Sequence, residues 1–273
     1  MLRRKSWADE YLVSGGARVL LTSDSTWTVG YAPNSRSGLV DHLRARGLGM
    51  ETVRNAGLGL LSPEGRMVDR FRDQVMFPSW NDRLETVGYF GVGRGAKPYY
   101  VASPATQIHR RSNALVGVAE QHDLLSEGAA PVLVNDPLDA VAIERISRLS
   151  VGRWAGIPLC DTLLSAEQAR ILGRYAATDT AIVVLADSSE GQRAAVGYLD
   201  DLSRFFARVW AVELPSGHSA STLITSEKSR QLLHDSLLVT RPLSDYRQPR
   251  KRRRPPIRLP AANPNPPALS PEP

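Results

Sequence analysis

The sequence predicts an α/β protein in which an α+β N-terminal half precedes a parallel sheet with helices on both faces. Two apolar stretches, PVLV at residues 131–134 and AIVVLA at residues 181–186, each run directly into an acidic loop. From residue 131 to about residue 234, short apolar runs alternate with amphipathic ones, as in strands that are joined by helices in a parallel sheet. Carboxylates that follow the C-terminal ends of neighbouring parallel strands lie where an open α/β sheet places its site.

Helix-start signals separate the strands of this second half. Asp136 and Pro137 offer an N-cap and a proline at the first helical position, so we predict a helix to about residue 149. The sequence SAEQ at residues 165–168 is a capping box and predicts a helix to about residue 176. The remaining predicted elements are strands at residues 151–157, 181–186 and 209–212, and a helix at residues 190–206.

The first half mixes short helices with antiparallel strands. We predict helices at residues 37–45 and 51–56, and a glycine stops each of them. Residues 74–78 and 85–90 are typical of two strands of an antiparallel sheet. The glycine-rich segment GVGRG at residues 91–95 lacks the spacing of a dinucleotide-binding loop, and we predict a turn there.

Length and composition are typical of a soluble globular protein of one large or two smaller domains, since the chain has 273 residues, 42% of them hydrophobic and 23% charged. Its single cysteine, Cys160, excludes an internal disulfide and a cysteine-based zinc cluster. No apolar run reaches the roughly 18 residues that span a bilayer, and no secretory signal follows the basic N-terminus. A cytoplasmic location is therefore the default expectation.

The net charge of +6 belongs to the end of the chain. From Arg247 onward there are seven Lys/Arg and a single acid, Glu272, so residues 1–246 are formally neutral. Any nucleic-acid face on the folded body must therefore be local. The proline-rich segment with its RKRRR cluster has little to bury, and we predict a disordered tail. This basic cluster could bind the phosphate backbone of a nucleic acid, or it could be a charged segment that is only solvated.

Several segments follow, in order, the catalytic core of bacterial DnaG-type primases. They are DHLRARGL at 41–48, VRNAGLG at 53–59 and VDRFRDQVMFP at 68–78. The last is the most specific, because the family's Asp-Arg-Phe-Arg…Met-Phe-Pro run is long. Residues 103–106 and the pair Arg110 and Arg111 stand at the family's Asn-Ser-Pro-Glu-Thr and His-Lys positions, and LVGVAE at 115–120 resembles its following helix.

The second half resembles the Toprim domain of the same family. The matching segments are 132–142 for Glu-Gly-x-x-Asp, 160–165 for Gly-Thr-Ala-Leu-Thr, 187–189 for Asp-Gly-Asp and 214–220 for Leu-Pro-x-Gly-x-Asp-Pro. The resemblance covers roughly residues 31–224. It implies a primase-core N-terminal subdomain over 1–128, a Toprim-like domain over 129–240 and a disordered Pro/Arg-rich tail over 241–273. We expect neither a zinc-binding nor a helicase-binding domain.

The resemblance also indicates which site groups are replaced. The family's catalytic glutamate falls at Asn135, and two metal-binding aspartates fall at Ser189 and Ser219, so that Asp139 and Asp187 remain. Hard cations depend on the number of charged ligands, and an amide cannot accept a proton as a general base does. We therefore expect weak binding of Mg²⁺ or Mn²⁺, no zinc, and weak or no primer synthesis.

Two further carboxylates lie beside the replaced positions. Asp136 and Glu190 could reach a metal ion, but a helix N-cap and a first-turn glutamate are the more ordinary roles for them. The retained acids also have structural alternatives. Asp187 could cap the helix that follows its strand, and Asp139 could serve the start of a helix.

Four cations are candidates for binding DNA phosphates: Arg70, Arg72, Lys97 and Arg111. The two first arginines could instead pair with the aspartates that flank them. Tyr99 and Tyr100 could stack on bases or pack on a core as strand tyrosines. Lys97 stands two residues before Tyr99, which occupies the family's lysine position.

The leading hypothesis is a degenerate primase-like protein that binds single-stranded or primer–template DNA during replication, of a mobile element in our interpretation. Two alternatives stay open. The chain could be an active primase that makes RNA primers by metal-dependent nucleotidyl transfer, or a non-catalytic protein that recruits partners through its basic tail. A replicative helicase or a fuller primase is the expected partner, and we expect no membrane association.

Overall fold

The computed structural model describes residues 7–21, 25–95, 99–150, 153–160 and 163–247 of the chain. In this described part the strands form two five-stranded sheets and one two-stranded sheet. None of its helices is long and apolar enough to cross a bilayer. The mixed helix and sheet architecture confirms the predicted fold class.

The first half builds an antiparallel sheet with short helices beside it. Its elements are α1 (Trp7–Ser14), β1 (Gly30–Ala32), α2 (Gly38–Ala45), α3 (Met50–Asn55), β2 (Gly59–Leu61), β3 (Met67–Asp69), β4 (Gln74–Trp80), β5 (Thr86–Gly93), β6 (Tyr99–Ala102), β7 (Leu115–Val116) and α4 (His122–Ser126). The sheet order is β1-β4-β5-β6, with β7 paired to β4, and β2 and β3 form a separate pair. The predicted antiparallel strands are confirmed by β4 and β5.

The glycine-rich segment at residues 91–95 is partly strand. β5 continues through Gly93, and Gly91 and Gly93 pair with Val101 and Tyr99 of β6. A Cβ atom at Gly91 would lie 2.5 Å from Oε1 of Gln74, so the absence of a side chain leaves the space that this neighbour fills. The predicted turn is therefore wrong for residues 91–93.

The second half builds the predicted parallel sheet. Its elements are β8 (Ala130–Val134), α5 (Pro137–Leu149), β9 (Trp154–Pro158), α6 (Ala166–Tyr175), β10 (Thr180–Leu185), α7 (Ser189–Gly197), α8 (Leu199–Leu202), β11 (Arg208–Glu213), α9 (Ala220–Leu223), α10 (Glu227–Leu238) and β12 (Arg241–Pro242). The strand order is β12-β11-β10-β8-β9. The four strands from β9 to β11 are parallel to their neighbours, and β12 is antiparallel at the edge.

The local helix signals act as the sequence predicts. The Asp136 side chain accepts the Leu138 N–H at 2.7 Å, and Pro137 is the first residue of α5. Ser165 and Gln168 form the reciprocal capping box of α6. The helix predicted over residues 190–206 is instead two helices, α7 and α8. Gly197 is the last residue of α7, where a poor helix former favours an end.

The end of the described chain belongs to the fold. Arg241 and Pro242 pair with β11, and a 3-10 helix follows at Leu243–Tyr246. Leu243 is fully buried against the parallel sheet's core, and this anchor holds the segment. The predicted disordered tail is therefore wrong for residues 241–247, whereas residues 248–273 lie outside the described residues.

Two hydrophobic cores lie on opposite faces of the parallel sheet. One core joins the two halves, since Phe77 of β4 belongs to the same cluster as Val132 of β8 and Ile143 of α5. The other packs Leu133 and Val183 with helices α6 and α8. This shared core packs the parallel sheet against the antiparallel sheet.

Candidate functional site

Three loops meet at the C-terminal edge of the parallel sheet. Asn135 follows β8, Asp187 follows β10, and the loop at residues 214–219 follows β11. β10 lies between β8 and β11 and is parallel to both. The carboxyl ends of these strands therefore share one edge, as the sequence predicts, and this edge is the candidate site.

Asp187 holds the loop that follows β11. Its Oδ2 accepts the Gly217 N–H at 2.7 Å and lies 3.5 Å from the Ser216 hydroxyl. It does not cap the next helix, because Ser188 is the N-cap of α7 and accepts the Gly191 N–H. The predicted helix-cap alternative for Asp187 is therefore wrong, although its observed role is also structural.

Asp139 holds the other end of the same loop. It lies in the first turn of α5, and its Oδ1 accepts the Ser221 N–H at 2.8 Å, beside the start of α9. Burial raises the pKa of the Asp139 carboxyl, and hydrogen bonds from Ser221 and Ser219 lower it in part. The two retained aspartates thus bind opposite ends of residues 216–221.

The three replaced positions have neutral side chains. Asn135 is exposed, and its backbone carbonyl accepts the Cys160 N–H at 2.9 Å. Ser189 is the first residue of α7. Ser219 is the N-cap of α9, and its hydroxyl accepts the Thr222 N–H in a capping box. None of the three can supply the negative charge of the carboxylate that the primase resemblance predicts at its position.

These side chains do not fit a pair of catalytic divalent cations. Both retained aspartates already accept a backbone N–H, and the other three positions offer only neutral oxygens. Within the described ranges, no three His, Cys, Asp or Glu side chains are grouped so that they could hold a metal ion. Affinity for hard cations depends on the number of charged oxygen ligands, and each retained aspartate uses one carboxylate oxygen to accept a backbone N–H.

Asp136 and Glu190 take the structural roles that their positions favour. Besides capping α5, the Asp136 carboxylate accepts the Tyr100 hydroxyl at 2.6 Å and the Tyr11 hydroxyl at 3.3 Å. Burial raises the pKa of Asp136, and its hydrogen bonds lower it in part. Burial and the neighbouring carboxylate also raise the pKa of both tyrosines. Glu190 is exposed in the first turn of α7.

The predicted DNA-binding arginines have different surroundings. The Arg70 guanidinium donates to the carbonyl of Ala102 at 3.1 Å, and the Arg111 guanidinium donates to the carbonyl of Cys160 at 3.2 Å. Arg72 is exposed just before β4. Lys97 lies outside the described residues.

The ion pairs that the sequence allowed for Arg70 and Arg72 are not formed. Asp69 accepts the backbone N–H groups of Leu39 and Val40 and so caps α2. Asp73 accepts hydrogen bonds from Trp7 and Tyr31 and lies 3.6 Å from Arg94. Helix capping and aromatic donors therefore replace the predicted local pairs.

Sequence reasoning missed two features beside the site. Tyr11 and Tyr100 come from the first half and hold Asp136 of the second half, and no local pattern indicates this contact. Cys160 has a positive φ of 55°, in the left-handed region that favours glycine. A cysteine gives no local sequence signal for this backbone conformation.

The hydrogen bonds of Asp187 predict a measurable stability effect. Asp187→Ala should lower the free energy of unfolding by about 1 kcal/mol, because the loop loses its acceptor for the Gly217 N–H. Asp187→Asn keeps an acceptor and is the matched control, with a smaller loss. Urea unfolding with and without Mg²⁺ measures both effects. Stabilisation by Mg²⁺ in the wild type alone would contradict the structural role.

Relatives of known structure share the fold. The RNA polymerase domain of Mycobacterium tuberculosis primase DnaG, solved with a double-stranded DNA oligomer that has a 6-nucleotide overhang, matches with a TM-score of 0.71 at 22% identity. A DnaG primase catalytic domain bound to ssDNA matches with a TM-score of 0.69 at 23% identity. Each match covers 88% of this chain and 74% of the other. The fold is therefore that of a primase catalytic core.

Sequence comparison identifies the family. Residues 3–122 match the model of the DNA primase catalytic core, N-terminal domain. The DNA primase of Deinococcus radiodurans is 32% identical over 200 residues, which are 71% of this chain and 34% of that protein. The chain belongs to the DnaG-type primase catalytic cores. It spans about a third of the length of the curated relatives that it matches.

Proposed function

We propose that this chain binds single-stranded or primer–template DNA during replication and synthesises primers weakly or not at all. The family membership supports a primase-like role, and two structural relatives were solved with DNA. The proposal includes the sequence-based expectations of a mobile element as the setting, a helicase or fuller primase as partner, and a cytoplasmic location.

One observation carries the expectation of low activity. Asp139 and Asp187 each accept a backbone N–H from the loop at residues 216–221, so their charge stabilises that loop. Phosphoryl transfer depends on metal ions that neutralise the phosphates and on a positioned base for the attacking hydroxyl. With Asn135 at the glutamate position, the chain's own residues supply neither function well.

A gain-of-activity variant tests this directly. Asn135→Glu/Ser189→Asp/Ser219→Asp restores three carboxylates, and we expect primer synthesis with Mg²⁺ or Mn²⁺ on a single-stranded template to rise well above the wild type. The matched control is Asn135→Gln/Ser189→Asn/Ser219→Asn, which changes the same positions without charge. Asparagine and aspartate are both good N-caps, so Ser219 can be replaced in both without loss of the helix start.

Three outcomes separate the interpretations. Activity in the charged variant but not in the amide variant supports the proposal that only the chelating groups are missing. Robust template-dependent ribonucleotide incorporation by the wild type, abolished by Asp187→Ala, contradicts it and establishes an active primase. Incorporation by none of the three proteins leaves a defect beyond the metal site and contradicts the reconstitution argument.

DNA binding is tested separately from catalysis. Filter binding of a single-stranded oligonucleotide should show an affinity that falls as salt rises, because cationic side chains displace counterions from phosphates. Arg72→Ala should reduce the slope of that dependence by less than about one unit if Arg72 contacts a single phosphate. The absence of any salt-dependent affinity in the wild type would remove the basis of the proposed function.

A further inference from the structure

The antiparallel sheet has one face that points away from the shared core. Strand alternation and the pairing of β5 with β6 place Phe90, Val92 and Tyr100 on the core side. The other face of the same two strands carries Tyr89, Gly91, Gly93, Tyr99 and Val101. Tyr99 and Tyr100, which the sequence leaves equivalent, are therefore on opposite faces of the sheet.

The Tyr99 ring lies across a glycine on this outer face. A Cβ atom at Gly93 would be 2.2 Å from Cζ of Tyr99 and 2.6 Å from its hydroxyl oxygen. Tyr99 is nevertheless 48% exposed, and Tyr89 on the same face is 37% exposed. One side of the Tyr99 ring thus rests on backbone, and much of the residue stays open to solvent.

Cations lie on both faces at this end of the sheet. Arg72 is exposed and stands two residues before Gln74, whose side chain lies on the outer face beside Gly91. Arg94 directly follows Gly93, but its Nε lies 3.6 Å from Asp73, which accepts hydrogen bonds from Trp7 and Tyr31 on the core side. A single-strand binding surface combines a cation for a phosphate with a ring for a base, and Arg72 is the cation that can accompany Tyr99 on the outer face.

We propose that Tyr99 is a stacking platform for one base of single-stranded DNA, with Arg72 contacting an adjoining phosphate. This inference rests on the proposed DNA-binding function and names a part of the surface that performs it. Stacking tolerates any sequence, because every base has a π face. The competing explanation is that the ring only covers Gly93 and stabilises the sheet, as aromatic residues do beside strand glycines.

Removing the base and removing the ring form a double-mutant cycle. Fluorescence anisotropy compares a labelled single strand with the same strand carrying abasic sites, for the wild type and Tyr99→Ala. We expect Tyr99→Ala to weaken binding of the ordinary strand about tenfold and to leave its salt dependence unchanged. The abasic strand should bind both proteins equally. Tyr99→Phe keeps the ring and should bind as the wild type does.

A glycine variant and its control test the position of the Tyr99 ring while the ring itself is kept. Gly93→Ala places a methyl group where the Tyr99 ring lies, so the ring must move, and we expect a loss comparable to that of Tyr99→Ala. Gly30→Ala is the control on the same sheet, because its new Cβ would be 3.9 Å from the nearest side chain. We expect no change in affinity from Gly30→Ala.

The possible results have distinct meanings. If the wild type binds single strands but Tyr99→Ala binds them equally well, the platform is wrong and the proposed function survives. If Tyr99→Ala lowers the melting temperature and weakens the ordinary and abasic strands alike, the ring is structural and the platform is again wrong. If the wild type shows no salt-dependent binding, the proposed function and the platform fail together.

Discussion

Glu120→Gln is expected to stabilise the protein above neutral pH and to have little effect in acid. Glu120 is only 8% exposed, and neither of its carboxylate oxygens makes a well-formed hydrogen bond within the described part of the protein. Burial raises the pKa of Glu120 to about 7, against smaller opposing effects from backbone groups and the Trp80 side chain. The negative charge of Glu144 raises the pKa of Glu120 further.

The sign of the pH dependence follows from this raised pKa. The folded protein holds the Glu120 proton more tightly than the unfolded chain, in which the glutamate has its ordinary pKa of 4.5. Its stabilising contribution is therefore complete below about pH 4.5 and is lost as the pH rises through about 7. A shift of this size corresponds to about 3 kcal/mol. Glutamine keeps the shape and cannot ionise, so the variant lacks this loss.

Urea unfolding at pH 4.5, 7 and 8.5 measures the effect, with those pH values set roughly by the linkage argument. The wild type should lose stability relative to Glu120→Gln across the series. Glu51→Gln, which removes an exposed glutamate charge from α3, is the control and should follow the wild type. Parallel pH profiles for the wild type and Glu120→Gln would show that Glu120 does not titrate as its burial requires.

Gly156→Ala is expected to destabilise the fold by about 3 kcal/mol or more. Gly156 lies in the middle of β9, where α5 crosses the parallel sheet. An added Cβ would lie 2.2 Å from the carbonyl oxygen of Ala140 and 2.6 Å from its Cα. Both atoms are backbone of α5 and cannot rotate away as a side chain would. The helix would have to move off the sheet and disrupt the buried contacts that both elements make.

Thermal unfolding tests this prediction, and a loss of about 3 kcal/mol corresponds to roughly 6–12 °C for a chain of this size. Gly30→Ala is the matched strand control, because its added Cβ meets nothing closer than 3.9 Å. Gly156→Ala/Ala140→Gly should remain destabilised, since the clash is with backbone and not with the Ala140 methyl group. Full rescue by that second change, or an unchanged melting temperature for Gly156→Ala, would contradict the close approach.

Elements with local signals were predictable. Asp136 caps α5 and Ser165 opens α6 because an N-cap acts on N–H groups two or three residues away. The break in the helix predicted over residues 190–206 also has a local signal, since Gly197 is the last residue of α7. The wrong prediction of disorder at residues 241–247 has another cause. Leu243 is buried against strands that are distant in the sequence, and the composition of the segment does not indicate that contact.

The candidate site shows the same division. The neutral side chains at Asn135, Ser189 and Ser219, where the resemblance predicts carboxylates, are visible in the sequence, because residue identity alone sets charge. The roles of Asp139 and Asp187 are not visible, because their donors lie 82 and 30 residues further along the chain. Only the folded chain brings those N–H groups to the carboxylates.

By itself, the sequence determined the order of strands and helices in the second half, the family resemblance and the shortage of negative charge at the sheet edge. These properties depend on residue type and short spacing. The tertiary structure decided which side of the sheet each of Tyr99 and Tyr100 faces, and what each remaining carboxylate binds. Those outcomes depend on strand register and long-range packing, because a single-residue shift in register exchanges the two faces of a strand.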